Sequence, residues 1–152
     1  MAYMKWSNEL DTDIHVIDNQ HRRIVEYINE LHDAIEHHSR EEVSTVLEQL
    51  VEYTMSHFAF EEDLMQEAGY PFIHAHQKVH RLFEKKVGDF VQRHELGEDV
   101  SRQLLTLLRT WLVNHIKRDD GDYAESVRVF MEASGNIVSH KKKGFFARLF
   151  GG

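Results

Sequence analysis

The chain has no cysteine and a single proline. The first absence removes disulfides, thiolate zinc sites and iron–sulfur ligands. The second, together with leucine- and glutamate-rich segments, favours helix throughout. No uncharged run is long enough to span a bilayer, and the start, Met1-Ala2-Tyr3-Met4-Lys5-Trp6, lacks the apolar stretch of a signal peptide. The cytoplasm is therefore the expected compartment. Positive charge is also scarce: 18 Lys and Arg face 26 Asp and Glu, a formal charge of −8, which argues against non-specific nucleic-acid binding. A Gly-rich phosphate loop, a Ser-His-Asp arrangement and a CxxCH haem-attachment motif are all missing. A length of 152 residues suits one domain with a real core.

What the chain has in excess is histidine, 12 residues in all. Position decides their meaning. An irregular arm is expected to about residue 13, anchored by Trp6 and Leu10. A first helix over about 16–38 carries the inward series Ile17, His21, Ile24, Ile28, Leu31 and Ile35, in steps of three and four. Ser39 and the acids behind it start a second helix, which ends at Gly69-Tyr70-Pro71. Its stripe runs Val43, Leu47, Leu50, Thr54, His57, Glu61, Leu64, Ala68, so a histidine and a glutamate occupy places where Leu or Val would be expected. The third helix, about 72–94, presents Phe72, His76, His80, Phe83, Val87 and Phe90. The fourth presents Val100, Leu104, Leu107, Leu108, Trp111, Leu112 and His115, and is expected to end in the run from Lys117 to Gly121. A short amphipathic piece with Tyr123, Val127 and Phe130 follows. Four helices of about 20 residues, each roughly 30 Å long, joined by short turns, predict an all-α, antiparallel up-down-up-down four-helix bundle.

Five histidines, His21, His57, His76, His80 and His115, thus lie on four core stripes, beside Glu61 and either Asp119 or Asp120. Buried ionisable groups are costly unless paired or bound to metal. One core histidine is ordinarily a hydrogen-bonded core residue; five with an inward glutamate are better explained as a metal site. Imidazole and carboxylate suit Fe, Zn, Ni or Cu, and bundle cores are known to build two-metal sites from facing helices. With both carboxylates and one oxide or hydroxide bridging two ions, the donors make eleven bonds where two octahedral ions need twelve. One position stays open to a small ligand such as dioxygen. Of the seven others, His32 falls outside the core stripe, and His15, His37, His38, His74, His94 and His140 are expected in solvent, Glu62 likewise.

Trp6, Ile17-Asp18-Asn19-Gln20-His21, His57-x-x-x-Glu61, His76-x-x-x-His80 and Trp111-Leu112-Val113-Asn114-His115 followed by Asp120 resemble the hemerythrin family, and within it the single-domain bacteriohemerythrins. The resemblance covers about residues 3–131. It implies a non-haem di-iron centre with an oxo or hydroxo bridge that binds O2 reversibly. On that pattern His76, His80 and His115 hold the coordinatively full iron, His21 and His57 hold the five-coordinate one, and Glu61 and Asp120 bridge them. Ideal helical spacing favours Asp119, four residues after His115; the family spacing selects Asp120. Leu112 matches the position that covers the O2 pocket. Iron, rather than manganese or zinc, is an implication of the resemblance.

The expected role is O2 storage, transport or delivery to a cellular partner, without catalysis and as a monomer. Carboxylate-type di-iron oxygenases use four Glu and two His; this imidazole-rich set favours carrying oxygen over activating it. The alternatives are an O2, NO or redox sensor acting through a partner, or a di-iron peroxidase or NO-handling enzyme. Residues 1–133 are expected to form the bundle. Residues 134–152 differ: they hold Lys141, Lys142, Lys143 and Arg148 and no acid, with Phe145, Phe146, Leu149 and Phe150 on one face if helical. Such a short amphipathic tail suits a membrane surface or a partner protein, against the plainer reading of a tail that lies on its own acidic bundle.

Overall fold

The structure, a computed structural model, describes residues 2–120 and 122–133. Four helices make the bundle: α1 (His15–Glu36), α2 (Arg40–Ala68), α3 (Ile73–Glu95) and α4 (Ser101–Asn114). A π-helical turn over His115–Asp120 continues α4, and a fifth helix, α5, covers 122–133. Packing is cyclic, α1 on α2, α2 on α3, α3 on α4 and α4 back on α1, as in an up-down-up-down bundle. No described helix is long and apolar enough to cross a membrane. The basic, aromatic tail, with its expected membrane or partner contact, and His140 lie outside the described residues.

Helix boundaries follow local chemistry. The Ser39 hydroxyl accepts from the Glu42 amide and caps α2 at its start. Gly69, at φ +71°, ends it in the left-handed conformation that glycine adopts without Cβ strain. α1 ends two residues earlier than its spacing suggests, because His37 is the C-cap and His38 turns left-handed at φ +55°. α4 departs furthest from expectation: the run from Lys117 does not unwind but widens into the π turn. α3 starts at Ile73 with Phe72 as its N-cap, which puts Phe72 65% exposed rather than on the core stripe.

The arm is more firmly held than two anchors imply. Beside Leu10, Met4 is buried, and its backbone amide and carbonyl both bond the Asn29 side chain, at 2.8 and 2.9 Å. Trp6 is half-buried against the His21 ring.

The apolar core falls into two clusters. One holds Ile24, Ile28, Leu31, Leu47, Leu50, Phe58, Phe83, Leu104, Leu108 and Leu112 among others. The second holds Ile14, Ile17, Phe60, Leu64, Met65, Tyr70, Tyr123 and Val127. Along α1, α2 and α3 the stripe passes from one cluster to the other through histidine. The polar layer is thus sandwiched between two greasy ends, where water is excluded and unpaired charge is expensive.

Candidate metal centre

Seven residues meet in this layer. His21 comes from α1, His57 and Glu61 from α2, His76 and His80 from α3, and His115 and Asp120 from the two ends of the π turn. All are buried: His76 is 5% exposed, His115 2%, and the other five at most 1%. Their donor atoms form two overlapping groups, His76, His80 and His115 in one, His21 and His57 in the other, with Glu61 and Asp120 in both.

Asp120 is brought in by the π turn. In an α-helix a residue four after His115 would share its face. An i→i+5 turn shifts that match by one residue, and Asp120 Oδ1 lies 3.2 Å from His115 Nε2. Its carboxylate also reaches His76 Nε2 at 3.1 Å and His21 Nε2 at 3.0 Å. Glu61 Oε1 lies 3.2 Å from His57 Nε2 and 3.4 Å from His80 Nε2, and Glu61 Oε2 lies 3.7 Å from His21 Nε2. Each carboxylate therefore faces both histidine groups.

The outer nitrogens show what holds the rings. His57 Nδ1 donates to Gln20 Oε1 at 2.6 Å, and His80 Nδ1 donates to Glu62 Oε2 at 2.9 Å. A proton fixed on Nδ1 leaves the Nε2 lone pair facing inward, the arrangement of metal-bound histidine. Glu62 is thus no solvated acid. It is largely buried, takes the His80 proton on one side and pairs with Arg81 on the other. Burial raises its pKa, but His80 and Arg81 hold it below the usual carboxylate range. Aromatic faces fix the rings further: Phe58 stacks on His80 at 3.8 Å and Trp111 on His115 at 4.3 Å. Tyr123, on α5, donates its hydroxyl to Glu61 Oε2 at 2.7 Å. Burial, with Glu61 and Asp120 close by, pushes its pKa well above 10, so the phenol stays a donor.

The inward atoms are another matter. Nε2 of His21, His57 and His76, Oε1 of Glu61 and both oxygens of Asp120 are buried without a hydrogen bond. Such concentrated dissatisfaction calls for an explanation, and a bound cation supplies one. His80 Nε2 and His115 Nε2 approach to 3.1 Å; with the His80 proton held at Nδ1, only a proton or a cation relieves that contact. Without a cation, protons would have to do this work. Burial lowers the His21 pKa, yet Asp120 and Glu61 outweigh it and push it up to about 9. Burial raises Glu61, but His57 and His21 hold it well below its ordinary value. Five imidazoles and two carboxylates common to both groups, dry and aimed at common points, fit a pair of transition-metal ions.

The other sequence expectations divide. Leu112 is buried in the larger apolar cluster, one turn before Ile116. His15, His37, His38 and His74 are exposed, as expected. His94 is not: it is 3% exposed, with Nε2 against Ser44 Oγ at 2.8 Å, because the α3 end packs on the α2 start. Reasoning from helical stripes overlooked the partners of the ligand candidates. Gln20 sits in a motif that the stripe reading passed over, Tyr123 looked merely apolar, and Glu62 owes its role to inter-helix register, which no single-helix pattern carries.

Known proteins resemble this chain over most of its length. The sequence profile of the hemerythrin HHE cation binding domain matches residues 12–126. A bacteriohemerythrin of Pseudomonas aeruginosa is 47% identical over 152 residues, covering 96% of this chain and 99% of its own. One of Methylococcus capsulatus is 34% identical, over 81% of this chain and 95% of its own. A wild-type hemerythrin crystal structure superposes with a TM-score of 0.79 at 32% identity, over 83% of this chain and 98% of that one. Profile, full-length identity and bundle geometry agree, and the chain belongs to the hemerythrin family.

Proposed function

We propose that the chain binds dioxygen reversibly at two iron ions and serves to store, transport or deliver it. The observation that carries this is the pair of donor groups sharing Glu61 and Asp120. His76, His80 and His115 would hold one ion, His21 and His57 the other, and the two carboxylates would span both. Two ferrous ions in this frame would supply the electrons and the open coordination position that dioxygen needs. The protein's own part is positional. Gln20 and Glu62 hold the His57 and His80 rings with their lone pairs inward. Tyr123 holds one oxygen of Glu61 and so steadies the bridge. Leu112 and the apolar clusters on both sides keep water out, which protects a bound state from stray protons. By the count of donors, the side with two histidines would keep a position for the ligand, and Leu112 is proposed to cover it. That the relatives are named bacteriohemerythrin and myohemerythrin supports the same reading.

The test is gas uptake by the iron-loaded chain. It should take up one dioxygen per pair of irons and release it under argon. Uptake that consumes oxygen continuously with a reductant present would instead indicate an enzyme. His76→Ala should bind well under two irons; retention of both would break the ligand assignment.

A further inference from the structure

The seven inward residues are not equally held. His57 and His80 each have their outer nitrogen tied to a neighbour, Gln20 and Glu62 respectively. His21 is completely buried beside Trp6. Among the described residues, no hydrogen bond engages His76 Nδ1, and its Nε2 is also without one. His76 lies in the first turn of α3, where its amide bonds the Phe72 carbonyl at 3.1 Å and no side chain caps the helix. Helix ends open more readily than helix middles. Although 95% buried in that it is only 5% exposed, His76 is the most exposed of the seven.

It also borders a groove. A cavity of about 530 Å³ runs between the start of α3 and α5, lined by Tyr70, Phe72, Ala75, His76, Asp122 and Ser126 among others. Phe72, Ala75 and Asp122 are exposed, so the groove opens to solvent, with a carboxylate at its mouth. Two further cavities among the described residues lie near the far ends of the helices, around His94 and around His37, and these two touch none of the seven.

We propose that this groove is the entry and exit route for the divalent cations of the site, and that His76 is the ligand that lets go first. The inference rests on the metal-site reading above but not on dioxygen. An imidazole with no outer hydrogen bond, in the uncapped first turn of its helix, can rotate toward the groove without breaking a hydrogen bond at Nδ1. His80 and His57 cannot: moving His80 breaks the bond to Glu62, and moving His57 breaks the bond to Gln20. His21 also lacks an outer hydrogen bond, but it is fully buried and does not line the groove. Asp122 gives the mouth the charge that attracts a cation.

The experiment follows metal release from the loaded full-length chain to excess ferrous chelator, anaerobically and with reductant. Ser126→Trp, which fills the groove from α5 and replaces no ligand, should slow release about tenfold while two irons stay bound. Phe72→Ala, at an exposed site where folding tolerates it, should speed release several-fold. Ser101→Trp, placed in the groove near His94, should leave the rate unchanged. A Ser126→Trp chain that holds two irons and releases them at the wild-type rate overturns the proposal. If that variant does not fold, a Phe72→Ala rate equal to or below wild type overturns it. Because no dioxygen is present, a failed oxygenation reading leaves these outcomes intact, whereas a wild-type chain that binds no metal defeats both.

Discussion

At the scale of single residues, the layer works through pairs. Each inward imidazole that is tied from behind presents its lone pair forward, so losing the partner should loosen the metal rather than the fold. Glu62→Ala is expected to lower metal affinity about 10- to 100-fold, read by chelator competition, with the helical content unchanged. Glu62→Gln, which keeps an acceptor for His80, should recover most of the loss. Equal losses in both variants would mean that charge, not orientation, is what Glu62 supplies. Metal uptake should also release protons, since Asp120 and Glu61 push the His21 pKa up to about 9 and a bound cation must displace that proton. A weakly buffered solution with an indicator dye measures this directly, and uptake without acidification would contradict the assigned charge state. The five histidines and Glu61 could be read from stripe spacing alone, because each displaces an apolar residue from a regular series. The tie behind His80 could not, since it depends on how α2 and α3 are set against each other.

At the scale of elements, the π turn is the instructive feature. Regular spacing points to Asp119 after His115, whereas the wider turn delivers Asp120. A pattern that assumes 3.6 residues per turn fails where the backbone itself departs from it, and such departures are frequent at functional sites. The α2–α3 connection was plainer: Gly69-Tyr70-Pro71 signals a stop, and the observed Gly69 φ of +71° agrees. An added Cβ at Gly69 meets no atom within 4 Å, so only backbone strain opposes it. Gly69→Ala should therefore destabilise by about 1 kcal/mol, measured by denaturant unfolding at matched metal loading.

The junction of α3 with α2 carries a pH effect. Burial, then Arg40, lowers the His94 pKa, despite Glu95 and Asp99 nearby. The unfolded chain therefore takes up a proton at this site before the folded chain does. Stability from neutral His94 is full above about 6.5 and is lost as pH falls through the lower folded value. Wild type should lose more stability than His94→Gln between pH 7.5 and pH 5.5, compared at equal metal content. An identical loss in both would show that His94 does not titrate on unfolding.

At the scale of the whole molecule, a four-helix bundle with a polar layer between two apolar clusters follows from four stripes interrupted at one level. That architecture was legible because helix lengths, turns and interruptions all agree. What the stripes do not reveal is how the arm and α5 close the site. Met4 is pinned to Asn29, and Tyr123 reaches from α5 to Glu61. We expect residues 1–133 to suffice for the site: a chain ending there should bind as many irons as the full chain, with the same visible spectrum. A truncated chain that loses metal would make the tail part of the bundle.

Visible absorption through repeated cycles of air and argon tests reversible dioxygen binding most directly. The iron-loaded ferrous chain should gain a charge-transfer band under air, lose it under argon, and regain it over successive cycles with little decay. A single conversion to a ferric state that argon does not reverse would contradict it.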